Sequence, residues 1–258
     1  MRMIDQIAYR SGLRYVNPCI KTFLAVATLL VCVSAHSVFV SLITLFVMGI
    51  LAVYKGKVPL AYFIKLYRIP LLFLVLSTFS IVISLSEKPL PGIVIPFFHQ
   101  YLIFKENAIY TAVNLIITAL GAVSCLYFLS LTTPVIDLLY VLDFIHCPVV
   151  LSELLLLIYR FIFVLYEIAA AITTSQKSRL GNKNIKTSIL SMSGMLFILL
   201  IRGIRKSSVL YDAMEARCYD GKILVLREVT KATKQEIVMA AAFVTFMIGI
   251  SLLQRSLF

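Results

Sequence analysis

Arg179 and Arg217 are the residues whose surroundings in this sequence point most clearly to chemistry. Each follows a small residue, Ser178 or Ala216, and each has a glycine within the next four positions, Gly181 or Gly221. Glycine just past a helix end permits the left-handed turn that terminates a helix. The pattern therefore predicts two exposed arginines projecting from rigid helix ends. A guanidinium held in this way can grip a partner's carboxylate through two parallel hydrogen bonds. The same pattern also suits an arginine favoured by the helix dipole or held by anionic lipid, and spacing alone leaves these readings open.

Other chemistry is scarce. The chain has no GxxxxGK[ST] phosphate loop, no HExxH and no GxSxG, and its carboxylates are scattered. The five cysteines (Cys19, Cys32, Cys125, Cys147, Cys218) form no CxxC pair. His146 and Cys147 are adjacent, so on a helix their side chains diverge and chelate poorly. Cys32 and Cys125 fall inside apolar runs, as small core residues do. His36 reads as a turn residue, with a metal ligand as the lesser alternative. The expectation is a chain without catalytic residue, resident cofactor or metal site.

The elements that position the two arginines belong in a bilayer. Of 258 residues, 61% are hydrophobic and 14% charged, where a soluble domain carries about 25% charged residues. Mean hydropathy is +0.99. These values exclude a disordered tail, a secreted disulfide scaffold and a conventional soluble enzyme. The net charge of +12 is concentrated in short connections: +3 over residues 1–21, +4 over 55–68 and +8 over 177–234, against zero over 87–106. That is the positive-inside pattern, and it places the amino terminus, 55–68 and 132–236 in the cytoplasm. No RNA- or DNA-binding motif accompanies the charge. The first twenty or so residues are polar, so no signal peptide is expected.

Five membrane spans are predicted. Ile20–Val53 is too long for one crossing, and Ser34–Ser37 divides it into two. Leu71–Leu85 follows, entered through Pro70 and stopped by the segment 86–92. A mixed apolar loop over 92–106 leads to Ala108–Leu131, which is rich in small residues that permit close helix approach. Ile237–Leu253 is the last. Between the fourth and fifth spans, Thr133-Pro134 resembles a cap opening a short helix over 135–144. Two long amphipathic helices, about 150–178 and 188–217, then end at the two arginines. Glu153, Arg160 and Glu167 recur every seven residues on the first of these, reading as a wetted stripe first and as a clamp steadying the helix pair second. Whether 149–172 and 189–201 enter the membrane stays open. The predicted organisation is 1–131, an amino-terminal segment with four spans; 132–236, a cytoplasmic coupling-helix region; and 237–258, the last span and tail.

At these motifs the sequence resembles the transmembrane T component of energy-coupling factor transporters, most closely the cobalt-type CbiQ group. The group's Ala-Arg-Leu-Gly and Ala-Arg-Gly-Tyr motifs are similar to Ser178-Arg179-Leu180-Gly181 and Ala216-Arg217-Cys218-Tyr219. The opening Ile4–Arg14 followed by Asn17-Pro18 and Lys21, the stretch Leu131–Pro134, Glu153–Arg160 and Tyr211–Met214 are further likenesses, in the group's order. Two positions depart from it. Ser178 replaces alanine and keeps the residue small, whereas Cys218 replaces a glycine and would be strained if the position needs positive φ.

The resemblance implies an all-α membrane protein acting as the coupling subunit of an ATP-driven importer. Two cytoplasmic ABC-type ATPases would bind the ATP and dock at Ser178, Arg179 and Leu180 and at Ala216, Arg217 and Cys218. Tyr219 and Met214 would pack at the docking site or simply within the helices. A separate membrane subunit would capture the ion, cobalt first and nickel second. Two other classes compete. A pore-forming permease of a conventional ABC importer would carry one coupling segment and dimerise, and Glu167–Ala171 is faintly similar to that segment. A membrane-embedded lipid enzyme would need clustered acidic residues with a divalent metal.

Overall fold

The computed structural model describes residues 2–35, 37–82, 84–86, 93–97, 100–104, 108–221, 223 and 232–257. His36, the stop segment 86–92 apart from Ser86, and most of 222–231 lie outside them. The chain is an all-α membrane protein: α1 (Arg2–Arg10), α2 (Pro18–Ala35), α3 (Val38–Ile50, running on as a π-turn to Lys55), α4 (Leu60–Val82), α5 (Ala108–Thr132), α6 (Val135–Phe144), α7 (Val149–Ser178), α8 (Ile185–Glu215) and α9 (Lys234–Leu257). Seven of these helices (α2, α3 with its π-turn, α4, α5, α7, α8 and α9) are long and apolar enough to cross a bilayer. A short antiparallel sheet lies between α4 and α5: β2 (Ile93–Phe97) and β3 (Gln100–Phe104) fall in the expected loop, while β1 (Ser84–Ser86), which also pairs with β3, falls at the expected end of the third span.

The chain forms two compact units, 1–138 with 228–258, and 139–227. In the first unit, α2 starts where the local chemistry dictates. Asn17 Oδ1 accepts the Cys19 N–H at 2.9 Å, and Pro18 takes the first helical position, where its missing N–H costs nothing. One turn later Lys21 is buried, and its ammonium donates to the carbonyls of Leu13 (3.1 Å) and Thr132 (3.2 Å). It ties the amino-terminal segment and the end of α5 to α2. The core beneath it gathers Ala25, Met48, Ala52, Phe63, Cys125, Phe128 and Leu131.

The small residues of α5 do allow close approach. A methyl group on Gly121 would stand 2.9 Å from the Ser41 carbonyl oxygen and 3.0 Å from Cys32 Sγ. Beside this contact, Ser41 Oγ and Thr118 Oγ1 hydrogen-bond at 3.1 Å, and Thr28 Oγ1 lies 3.5 Å from Cys125 Sγ. The two cysteines thus sit in a buried polar seam joining α2, α3 and α5, where lipid offers no alternative partners.

Two local expectations are corrected. Thr133 does not cap α6: its hydroxyl is buried without a hydrogen-bond partner among the described residues, and α6 begins on the Pro134 carbonyl, which accepts from the Asp137 and Leu138 N–H groups. Pro70 does not open the third span but lies within α4, which starts ten residues earlier. Proline has no N–H for the carbonyl four residues back, here that of Leu66. The Tyr127 hydroxyl of α5 donates to that carbonyl at 3.1 Å. Tyr127 is held there by an edge-on contact with Tyr67, which packs in turn on Phe63. A neighbouring helix thus replaces the bond proline removes. Tyr127→Phe leaves the carbonyl unpaired and is expected to lower stability by about 1–3 kcal/mol, read as a reduced unfolding temperature in detergent.

Candidate functional site

The second unit is dominated by α7 and α8. Successive contacts fix them as an antiparallel hairpin. Gln176 Nε2 donates to the Ser191 carbonyl at 2.7 Å, Thr173 Oγ1 to Met195 Sδ at 3.4 Å, and Leu165 lies against Gly203. At the far end, Glu153 near the start of α7 meets Tyr219 beyond α8. Each helix has 30 or 31 residues, so at ~1.5 Å per residue the hairpin is ~45 Å long. Arg179 sits at its turn and Arg217 at its open end. The two arginines expected to act are therefore set at opposite ends of one rod, and all six predicted docking residues (Ser178, Arg179, Leu180, Ala216, Arg217, Cys218) are exposed.

Both arginines occupy the same position in the same helix ending. At the end of α7, the Leu180 N–H donates to the Lys177 carbonyl (3.1 Å) and the Gly181 N–H to that of Gln176 (2.9 Å). At the end of α8, the Cys218 N–H donates to the Glu215 carbonyl (2.9 Å) and the Tyr219 N–H to that of Met214 (3.1 Å). This paired arrangement is the Schellman motif, and in both cases it turns immediately after the arginine. The residue that turns is left-handed, with φ of 58° at Leu180 and 58° at Cys218. The expectation that the glycines supply this turn is thus corrected, since Gly181 and Gly221 follow the left-handed residue.

Gly181 is needed for space instead. A methyl group there would lie 2.7 Å from Ser191 Oγ and 3.0 Å from the Gln176 carbonyl oxygen. Ser191 Oγ donates to the Gly181 carbonyl at 3.0 Å, so Gln176, Gly181 and Ser191 clasp the Arg179 end to the first turns of α8. That helix starts after Asn184, whose N–H donates to Thr187 Oγ1 at 3.0 Å.

The Arg217 end has its own clasp. Glu153 Oε2 accepts the Tyr219 hydroxyl at 2.7 Å, and Oε1 accepts the Ile223 N–H at 2.7 Å. Glu153 is therefore a helix clamp and not part of a wetted stripe. The hydrogen bond to this carboxylate, followed by lesser burial, holds the Tyr219 phenol above its ordinary value of 10.0. A raised folded-state value means the contact is complete below about pH 10 and is lost as the phenol ionises above it. Ser152, one position earlier, donates to Asp143 Oδ1 at 2.7 Å and ties α6 to the same helix start. Sequence reasoning missed Gln176 and Ser191, which carry no distinguishing signal. Glu153, a lone carboxylate in an apolar run, did carry one.

Leu180 and Cys218 are both strained, since a non-glycine residue in this region costs roughly 1–2 kcal/mol. Cys218→Gly is expected to stabilise the end of α8 by about 1 kcal/mol after the entropy glycine adds to the unfolded chain. Amide hydrogen exchange over 211–219 should slow several-fold.

Comparison with known proteins places this hairpin in context. A family model described as "Cobalt transport protein", CbiQ, matches residues 10–230, which include α7, α8 and both arginine motifs. An uncharacterised protein of Methanocaldococcus jannaschii is 33% identical over 98% of this chain and 94% of its own length. A putative fused cobalt transport protein, CbiMQ, of Methanocorpusculum labreanum is 29% identical over 96% of this chain and 41% of its own length. The cobalt transport protein CbiQ of Salmonella typhimurium is 25% identical over 86% of this chain and 98% of its own. With its membrane-spanning helices and a family match over most of its length, the chain belongs to the CbiQ cobalt transport protein family.

Proposed function

We propose that this cobalt-transport membrane protein is a non-catalytic coupling subunit, the T component of an energy-coupling factor importer. The observation that carries the reading is the repetition of one helix ending, with arginine at the same place, at both ends of a single ~45 Å hairpin. One rod with two equivalent grips suits a motor made of two like parts. Arg179 with Ser178 and Leu180 docks one cytoplasmic ATPase, and Arg217 with Ala216 and Cys218 docks the other. Each guanidinium meets a carboxylate in a groove on its ATPase. ATP is bound by those subunits, with the amino terminus of this chain on the same, cytoplasmic side.

The hairpin geometry suits such coupling. When ATP draws the ATPases together, the two grips are driven relative to each other, and a clasped hairpin transmits the displacement along its length. The hairpin also carries exposed apolar side chains on α8, among them Ile189, Met192, Phe197 and Leu200, a surface suited to lipid and to a membrane capture subunit. The fused relative in Methanocorpusculum labreanum supports a second membrane component beside this one. That capture subunit reorients and releases its ion, cobalt in preference to nickel.

Co-expression with candidate ATPase and capture subunits tests the proposal. Cobalt uptake is expected only when all are present, and the purified chain alone should hydrolyse no ATP. Uptake by cells expressing this chain without any ATPase would overturn it.

A further inference from the structure

The fold gathers cations at a second place, in the first unit and away from both docking motifs. The segment 10–17 precedes α2, and 55–59 joins the π-turn after α3 to α4. These segments are 45 residues apart in sequence at Gly12 and Lys57, yet the Gly12 N–H donates to the Gly56 carbonyl at 3.4 Å. A methyl group on Gly12 would stand 2.7 Å from the Lys55 carbonyl oxygen and 3.5 Å from Lys57 Cγ and Cδ. Glycine is therefore required for the two segments to meet, and the Lys57 stem runs along it. Lys57 itself is held left-handed, with φ of 53°, a conformation that persists only where its surroundings over-determine it. Arg10 and Arg14 each lie two residues from Gly12, and Lys55 and Lys57 flank Gly56, so the contact draws four basic positions to one junction, to which neither segment contributes a carboxylate.

Four like charges brought to one surface repel one another, so the arrangement calls for an anion. Arg14 is held at this junction by aromatic rings: its guanidinium carbon lies 5.2 Å from the Tyr9 ring centroid and 5.9 Å from that of Tyr15, a cation–π attraction that itself uses none of its N–H donors. The location identifies the anion. Both segments lie at the ends of membrane-length helices, α2, α3 and α4, where phospholipid headgroups sit. Tyr15 and Tyr54 are 65% and 83% exposed there, as aromatic residues are at a bilayer interface.

We infer that Arg10, Arg14, Lys55 and Lys57 form a binding site for the phosphate of an anionic phospholipid headgroup, organised by the Gly12–Gly56 contact. The site stands independently of the ATPase-coupling proposal. In lipid nanodiscs the full chain is expected to retain phosphatidylglycerol over phosphatidylcholine through delipidation by at least tenfold, as read by native mass spectrometry. Raised salt and the exposed-lysine variant Lys55→Gln/Lys57→Gln should each remove most of that preference, with the unfolding temperature unchanged; Arg14→Gln, which also gives up its contacts with Tyr9 and Tyr15, should remove part of it. Free glycerol phosphate at millimolar concentration should not displace the lipid, because the site uses its bilayer position as well as its charge. Equal retention of the two lipids by the unaltered chain would overturn the inference. So would variants that keep the preference, or that lose an ATPase partner while retaining the lipid.

Discussion

Arg179→Ala and Arg217→Ala are each expected to abolish ATP-driven cobalt uptake while leaving the protein folded in the membrane. Both residues are exposed, and the hairpin's own clasps are made by neighbouring residues. Neither substitution opens a cavity or strands a buried partner within the chain. The loss therefore falls on association. Truncating a charge-paired arginine at a desolvated interface costs about 2–5 kcal/mol, which is more than tenfold in affinity for one ATPase. Lysine should restore little at either position, because a point charge cannot reproduce the planar two-bond grip. Because both ends are needed for displacement to be transmitted, a single variant should stop uptake as completely as the double variant. Measured uptake, with the protein level and unfolding temperature checked in parallel, decides this.

Glu153→Ala is expected to have the next largest effect, and a selective one. The carboxylate accepts two hydrogen bonds that fix the segment beyond Arg217 to the start of α7. Hydrogen bonds to a charged group contribute about 1.5–3 kcal/mol each. Without them the Arg217 end frays while the Gln176–Gly181–Ser191 clasp keeps the Arg179 end in place. Hydrogen exchange should rise over 211–223 and stay unchanged over 176–191. Uptake should fall strongly, and Glu153→Gln should recover part of it, since an amide oxygen still accepts one of the two bonds. Equal fraying at both ends would show that Glu153 acts on the hairpin as a whole.

Much of this architecture is legible in the sequence because its signals are strong and local. Apolar runs bounded by Ser34–Ser37 and by Thr132–Pro134 give α2, α3 and α5 nearly to their ends. The ends of α7 and α8 are legible for a different local reason: the chain turns polar and basic near Lys177 where α7 stops, and Asp220-Gly221 follows close on the end of α8. Pro70 misleads because the residue that accommodates it, Tyr127, is 57 positions away on another helix. The left-handed turns are read at the wrong residue because glycine is the usual choice for them, whereas here Leu180 and Cys218 are forced into that conformation by the paired hydrogen bonds around them. Glu153 is visible as a charge in an apolar helix. Its partner Tyr219 lies 66 positions on, and only the antiparallel hairpin brings them together. In the site, then, the arginines are local features, while what holds them in place depends on contacts between helices.

The central claim is that one copy of this chain presents two separate grips, one to each of two ATPases. Native mass spectrometry of the complex purified with its ATPase and capture subunits tests it most directly. The account predicts one copy of this chain to two ATPase subunits, falling to one ATPase when either Arg179 or Arg217 is replaced by alanine. Two copies of this chain per pair of ATPases, or an unchanged ATPase count in both variants, would contradict it.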